Sequence, residues 1–213
     1  MALRIENLSV RRGERTILAG LSLQVEAGQA LLLTGPNGVG KTTLVRAIAG
    51  LLPIAEGLIT LDGMGDGDAD TGERAHYVGH LNGVKPALTV LENARFWARY
   101  LGGSETDVQS ALAQFHVEEL SLIPAGFLSA GQKRRLGLSR LLLAQRPLWL
   151  LDEPAVSLDA ASRGLLAETI NRHLASGGIV VAATHQPLGF APAREIALQS
   201  APARAAISDA ALP

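Results

Sequence analysis

With 213 residues, 47% of them hydrophobic and 18% charged, the chain carries enough apolar material for one sizeable core and too much to remain disordered. A net charge of −1 gives no global attraction to nucleic acid or an anionic membrane, so no nucleic-acid partner is expected. The absence of cysteine excludes disulfides, thiolate metal sites and haem attachment through Cys-x-x-Cys-His. Met1 to Asn7 lacks a basic region followed by an apolar run, and no apolar stretch is long enough to span a bilayer. Neither a secretory leader nor a membrane span is therefore expected, and work at a membrane would depend on a partner.

One domain is expected over residues 1–200 and a loosely held tail over 201–213. Leu3 to Val10 alternates apolar and polar residues as a half-buried strand does. After the polar turn Arg11 to Arg15 come two further short strands, Thr16 to Leu18 and Leu21 to Val25, so the chain is expected to begin with an antiparallel sheet. Ala30 to Thr34 reads as a buried strand and Thr43 to Ala49 as a helix. Between them stands Gly35-Pro36-Asn37-Gly38-Val39-Gly40-Lys41-Thr42, two glycines five apart followed by Lys and a hydroxyl residue.

That is the phosphate-binding loop in its strand–loop–helix setting. Its glycines permit a tight turn that aims backbone N–H groups at phosphate oxygens, and the following helix adds its positive end. Lys41 would reach the β- and γ-phosphates, Thr42 would hold Mg²⁺ and Thr43 would reach the α-phosphate. A nucleoside triphosphate is the expected ligand.

Leu58 to Leu61 is the next strand, then a Gly- and Asp-rich loop from Met64 to Gly72, and Ala75 to Val78 is a short strand. From Thr89 the periodicity turns helical: Val90, Ala94, Trp97 and Leu101 share a face, and Thr89 with Glu92 forms a capping-box pattern. A second helix is expected over Glu105 to Phe115, so residues of about 86–128 form a helical insertion. Phe96, Trp97 and Tyr100 are either core or a docking face. Gln132 to Ala144 reads as a helix in which Lys133, Arg134 and Arg135 are expected on a solvated face. Leu148 to Leu151 is a strand, a helix capped by Asp159 or Ser162 runs to about His173, and Ile179 to Ala183 is a strand buried on both faces. Strands alternating with helices predict an α/β fold with a mainly parallel sheet.

A second cluster sits late in the chain. The strand before Asp152-Glu153 delivers a carboxylate to the neighbourhood of Thr42, and a second carboxylate beside it can accept a proton from an attacking water. Upstream, Leu128-Ser129-Ala130-Gly131-Gln132 is a Ser/Gly turn opening a helix, a second anion site. Downstream stand Asp159 and, directly after a buried strand, His185.

In this order the parts resemble the ATP-binding-cassette (ABC) ATPases over nearly the whole chain. The resemblance implies a P-loop NTPase core with an N-terminal antiparallel β subdomain and a helical insertion, ATP and Mg²⁺ as ligands, and ATP hydrolysis as the activity. It implies Glu153 as the base for the hydrolytic water, Asp152 as the Mg²⁺ partner and His185 as the γ-phosphate sensor. Leu128 to Gln132 would contact ATP held by a second ATPase subunit in a head-to-tail homodimer, and Asp159 would lie in the loop coupling the two sites. Two positions depart from the family pattern. His80 stands where Gln is usual, and Arg12 replaces the aromatic that stacks on adenine, a role a guanidinium can also fill.

Gly79-His80, Gly83-Val84-Lys85, Trp149 to Pro154 and Thr184 to Leu188 resemble one branch, the ATP-binding subunits of cytochrome c maturation systems. That branch implies a peripheral subunit on the cytoplasmic face of the bacterial inner membrane, bound to an integral membrane permease subunit and serving haem handling. His76, His80, His116 and His173 show no spacing that argues for an iron site. Two alternatives stay open: an ABC transporter for a lipid, drug or metal chelate, and an ABC ATPase acting on ribosomes or DNA.

Overall fold

The computed structural model describes residues 1–62, 71–190, 192 and 194–199. Most of the expected Gly/Asp-rich loop, and the expected tail beyond residue 200, lie outside the described residues.

Five strands form a sheet in which every pairing is parallel: β3 (Ala30–Thr34), β5 (Ala75–Val78), β6 (Leu148–Asp152), β7 (Ile179–Ala183) and β8 (Arg194–Ala197), ordered β5-β6-β7-β3-β8. β6 and β7 are buried along their whole length because helices cover one face and a second sheet the other. Alternation divides their side chains between two cores. Leu148, Leu150, Ile179 and Val181 face α1 (Lys41–Ile48) and the second sheet, whereas Trp149, Leu151, Val180 and Ala182 face the remaining helices.

The second sheet is antiparallel, ordered β2-β1-β4 from β1 (Ala2–Arg12), β2 (Arg15–Glu26) and β4 (Glu56–Asp62). The expected N-terminal subdomain is therefore present with a different composition. The two short strands expected over residues 16–25 are one strand, carried past Gly20 by irregular register against β1. The third strand comes from beyond the phosphate loop. Pairing of Ala2 with Asp62 and Ile5 with Ile59 is a contact across most of that segment, which local patterning does not reveal.

The helical arm holds α2 (Val90–Leu101) and α3 (Asp107–Gln114), closed around Val90, Ala94, Ala98, Leu112 and Phe115. The Thr89–Glu92 capping box is formed in both directions. Phe96 and Tyr100 are exposed, stack on each other and meet Trp97 edge-on at the arm's surface. α4 (Ala130–Ser139) starts earlier than expected because Ser129 caps it, and it tightens into a 3₁₀ turn over Arg140–Leu142. Asp159 is the cap of α5 (Ala160–Ala175), its carboxylate accepting from the Ser162 N–H at 2.7 Å. That bond holds the Asp159 carboxyl below the usual carboxylate range.

Candidate functional site

The loops after β3, β6 and β7 leave neighbouring strands at their C-terminal ends, where open α/β sheets gather ligands. A cleft of about 620 Å³ opens there, lined by residues that include Asn37, Gly38, Lys41, Thr42, Thr43, Asp152, Glu153 and His185.

The phosphate loop is shaped by close approach. At Gly35, φ is +122° and a Cβ would stand 2.6 Å from the Leu198 carbonyl oxygen, so a side chain would push the loop off β8. Pro36 is exposed and Val39 is buried beneath the loop. Gly40 occupies the N-cap position of α1 in the left-handed region, and no side chain caps that helix. Its first N–H groups are thus left without a side-chain acceptor, as an anion site requires. Lys41 Nζ donates to the carbonyls of Gly35 (2.7 Å) and Pro36 (3.0 Å), which holds the ammonium over the loop.

Thr42 Oγ1 donates to Asp152 Oδ1 at 3.0 Å across 110 residues of sequence. The expected pairing of these two is present. A hydroxyl and a carboxylate at the end of a phosphate loop form a hard-oxygen set of the kind Mg²⁺ uses, with its other positions left to phosphate and water. Among the described residues no group of three or more His, Cys, Asp or Glu is placed to hold a metal by itself.

Beyond Asp152 the backbone turns sharply: Glu153 adopts φ +50°, uncommon for a residue other than glycine. This turn aims the Glu153 carboxylate at the loop after β7. Oε1 lies 3.1 Å from His185 Nε2, and Oε2 accepts from Thr184 Oγ1 at 3.2 Å. Thr184 is itself buried and oriented by the Gln186 N–H (3.0 Å). Arg11, Arg12, Arg15 and Arg46 also line the cleft. A hydrogen bond to the Tyr77 hydroxyl raises the Arg46 pKa above its ordinary value. Several cationic groups and two carboxylates lining one cleft suit a polyanion carrying a metal.

Three sets of expected residues lie outside the cleft. Ser129 and Ala130 are exposed, Leu128 is buried, and the Leu128–Gln132 turn does not line the cleft. In this turn Ser129 accepts from the Gln132 N–H and Gln132 Oε1 accepts from the Ser129 N–H. Asp159 is likewise outside the cleft. His80 is exposed and does not line it either.

The solvated face expected for Lys133, Arg134 and Arg135 is corrected. Arg134 is only 3% exposed, and Arg135 and Lys133 donate to carbonyls of the helical arm, at His116 (3.0 Å) and Gly126 (3.0 Å). A polar helix turn here faces orphan carbonyls of neighbouring loops instead of water, and arginine supplies several donors per side chain. Thr184 and Arg134 are site neighbours to which the sequence assigns no role at the site. Thr184 carries a weak signal, a hydroxyl between a buried strand and His185. Arg134 carries none without the fold.

A family profile described as ABC transporter matches residues 7–156. The chain is 48% identical to the "Cytochrome c biogenesis ATP-binding export protein CcmA" of Chelativorans sp. (strain BNC1), over 92% of this chain and 97% of that protein. It is 50% identical to the protein of the same name from Nitrobacter winogradskyi, over 89% and 94% of the two chains. Among solved structures, an ATP-binding protein from Pyrococcus furiosus ascribed to ABC transporters superposes with TM-score 0.79 at 24% identity, over 94% of this chain and all of that one; at that identity it bears on the fold alone. An ATP-binding subunit of an ABC transporter gives TM-score 0.77 at 26% identity, over 87% and 80%.

Proposed function

The chain belongs to the ABC transporter family and is an ATP-binding ATPase of that family, and from this premise we propose that it energises a membrane permease subunit in c-type cytochrome biogenesis, serving haem handling from the cytoplasmic face of the inner membrane. The observation that carries the chemistry is the meeting of Glu153 with His185 and Thr184, beside Thr42–Asp152, at the end of the phosphate loop. What supports the cytochrome branch is the name and near-complete coverage of relatives about half identical to this chain. No described helix is long and apolar enough to cross a membrane, which fits a subunit held by a partner.

ATP would lie with its phosphates over the Gly35–Thr43 backbone, Lys41 exchanging loop carbonyls for phosphate oxygens and Arg12 stacking on the base. Thr42 and Asp152 would hold Mg²⁺, which when bound neutralises developing charge on the β- and γ-phosphates. Glu153 orients a water for attack on the γ-phosphorus and takes its proton as the bond to the ADP oxygen breaks. His185 donates to the γ-phosphate. The Ser129–Gln132 turn is exposed with its helix N-terminus outward, so it is available to the ATP of a second copy in a head-to-tail pair. Closing of that pair would drive the permease through the helical arm.

The test uses the Glu153→Gln chain. It should bind ATP and form an ATP-dependent dimer while turnover falls by about 10²–10⁴-fold. With ATP and Mg²⁺ it should recover a multi-span membrane protein and cytochrome c assembly proteins from gently solubilised host membranes. A different permease would redirect the substrate, and retained turnover would remove Glu153 from its role.

A further inference from the structure

Arg134 is a buried charge outside the cleft, and among the described residues it pairs with no carboxylate oxygen. Its guanidinium is satisfied by neutral acceptors alone: Nε donates to Pro154 O (2.9 Å), Nη2 to Glu153 O (2.7 Å), and Nη1 to Gly79 O (2.8 Å) and Asn82 Oδ1 (2.9 Å). Burial lowers its pKa from the ordinary arginine value, against the pull of Asp152 and Glu153. Burying a charge is costly unless its donors are fully used, and a hydrophobic residue would fill the same space more cheaply. The arrangement therefore calls for a reason other than stability.

The acceptors supply one. They belong to two separate segments, the residues after β6 that carry Glu153 and the start of the loop after β5, and Arg134 ties both to α4, five residues beyond Ser129. At the first of these the backbone is strained, with Glu153 at φ +50°, a conformation that persists only where its surroundings over-determine it. The Glu153 carbonyl receives Arg134 on one side and the Val156 N–H (3.3 Å) on the other. A second contact joins the same two segments. The Ser157 carbonyl oxygen lies 3.0 Å from where a Gly131 Cβ would stand, so the Ser129–Gln132 turn packs directly on the loop that follows Glu153. α4 and the Glu153 turn thus form one rigid unit, with the guanidinium as the pin.

We propose that Arg134 is a positioning residue for ATP hydrolysis: its fork of donors fixes the strained turn at Glu153, aims the carboxylate at the attacking water, and ties that aim to the Ser129–Gln132 turn. The proposal rests on the reading of Glu153 as the base. Lysine cannot replace arginine here, because the three N–H donors of one ammonium cannot serve four acceptors drawn from two loops.

The full-length Arg134→Lys and Arg134→Gln chains are compared with wild type and Glu153→Gln for kcat, KM for ATP, equilibrium ATP binding and thermal melting. The expected result is a kcat at least tenfold lower in both Arg134 variants, with KM and ATP binding within twofold and a cooperative melt retained. A kcat within twofold of wild type in either folded Arg134 variant overturns the proposal. If neither variant folds, Asn82→Ala carries the test, because it removes one acceptor from a half-buried loop side chain. It should lower kcat two- to fivefold at unchanged KM, and an unchanged kcat overturns the proposal. Retained turnover in Glu153→Gln would instead dispose of the base assignment on which the inference stands, so the two failures are told apart.

Discussion

The two ends of β6 hold opposite chemistry within five residues. At its C-terminal end Asp152 and Glu153 keep their carboxylates at a cleft, each tied to a hydroxyl or imidazole from another strand's loop. Near its start Trp149 is buried against two imidazoles, His173 stacked on it at 3.9 Å between ring centres and His76 edge-on at 6.4 Å. A cavity of about 700 Å³ opens beside this stack, larger than the 620 Å³ cleft at the other end. Cavity size therefore does not identify the site. Groups kept polar and paired at converging strand ends do, whereas at the other end burial neutralises what could ionise.

The largest effect expected probes the neutral end. Burial pushes both His76 and His173 down to about 4, in His76 against the opposing pull of the bond from Nε2–H to the Ala144 carbonyl (2.8 Å). Because the folded pKa values are depressed, the unfolded chain takes up protons first as pH falls below about 6.5. Stability is therefore complete above pH 6.5 and is lost progressively down to pH 4. The loss is on the order of 3 kcal/mol for each imidazole at about 1.4 kcal/mol per pKa unit, together comparable with the whole stability of a domain. Urea midpoints measured between pH 7 and pH 4 should fall steeply, and a His173→Phe chain, which keeps a ring on Trp149, should fall less. A flat profile would mean the imidazoles are not buried neutral.

Next comes the cleft. Replacing His185 by Ala removes the side chain against Glu153 and the donor expected at the γ-phosphate. Turnover should drop about 10²–10³-fold, the range for losing one donor to developing charge, with little change in melting because His185 is mostly exposed. Phosphate release checks the first and a thermal melt the second. A loss of stability matching the loss of rate would make His185 a structural residue, and the contrast between the two ends would collapse.

How far the sequence reveals this contrast depends on the range of each interaction. The Thr89–Glu92 and Asp159–Ser162 caps, the Gly35–Thr42 loop and the buried runs at β3, β6 and β7 are encoded within a few residues, and they are found where patterning puts them. Motif chemistry alone puts Asp152 in the neighbourhood of Thr42, and the two are hydrogen-bonded despite lying 110 residues apart. Interactions that depend on the assembled fold were not legible. β4 joins the first sheet only through its pairing with β1, and the polar run at Lys133 to Arg135 faces carbonyls contributed by distant loops. Arg12 does line the cleft, but its companions Arg11, Arg15 and Arg46 converge on it from three separate elements.

A smaller effect sharpens the comparison inside the cleft. Thr184→Val keeps volume and burial but deletes the bond to Glu153 Oε2 and the acceptor for the Gln186 N–H. A hydrogen bond to a charged group contributes about 1.5–3 kcal/mol, so turnover should fall about 10- to 100-fold at near-constant KM. Steady-state kinetics with ATP read this directly, and a changed KM with unchanged kcat would place Thr184 in binding rather than in the aim of Glu153.

The smallest effect concerns His80. Family resemblance puts it at a Gln position near the water and Mg²⁺, whereas in this fold its side chain is exposed and does not line the cleft. Its neighbours Gly79 and Asn82 are the ones clasped, by Arg134. The backbone of this loop is therefore tied to the site while the imidazole is not. His80→Ala should leave basal turnover of the isolated chain within twofold, and Asn82→Ala in the same loop should cost more. If His80→Ala proves the more damaging, the loop must swing its imidazole into the cleft during turnover, and the boundary drawn here between gathered and solvent-facing groups would move with it.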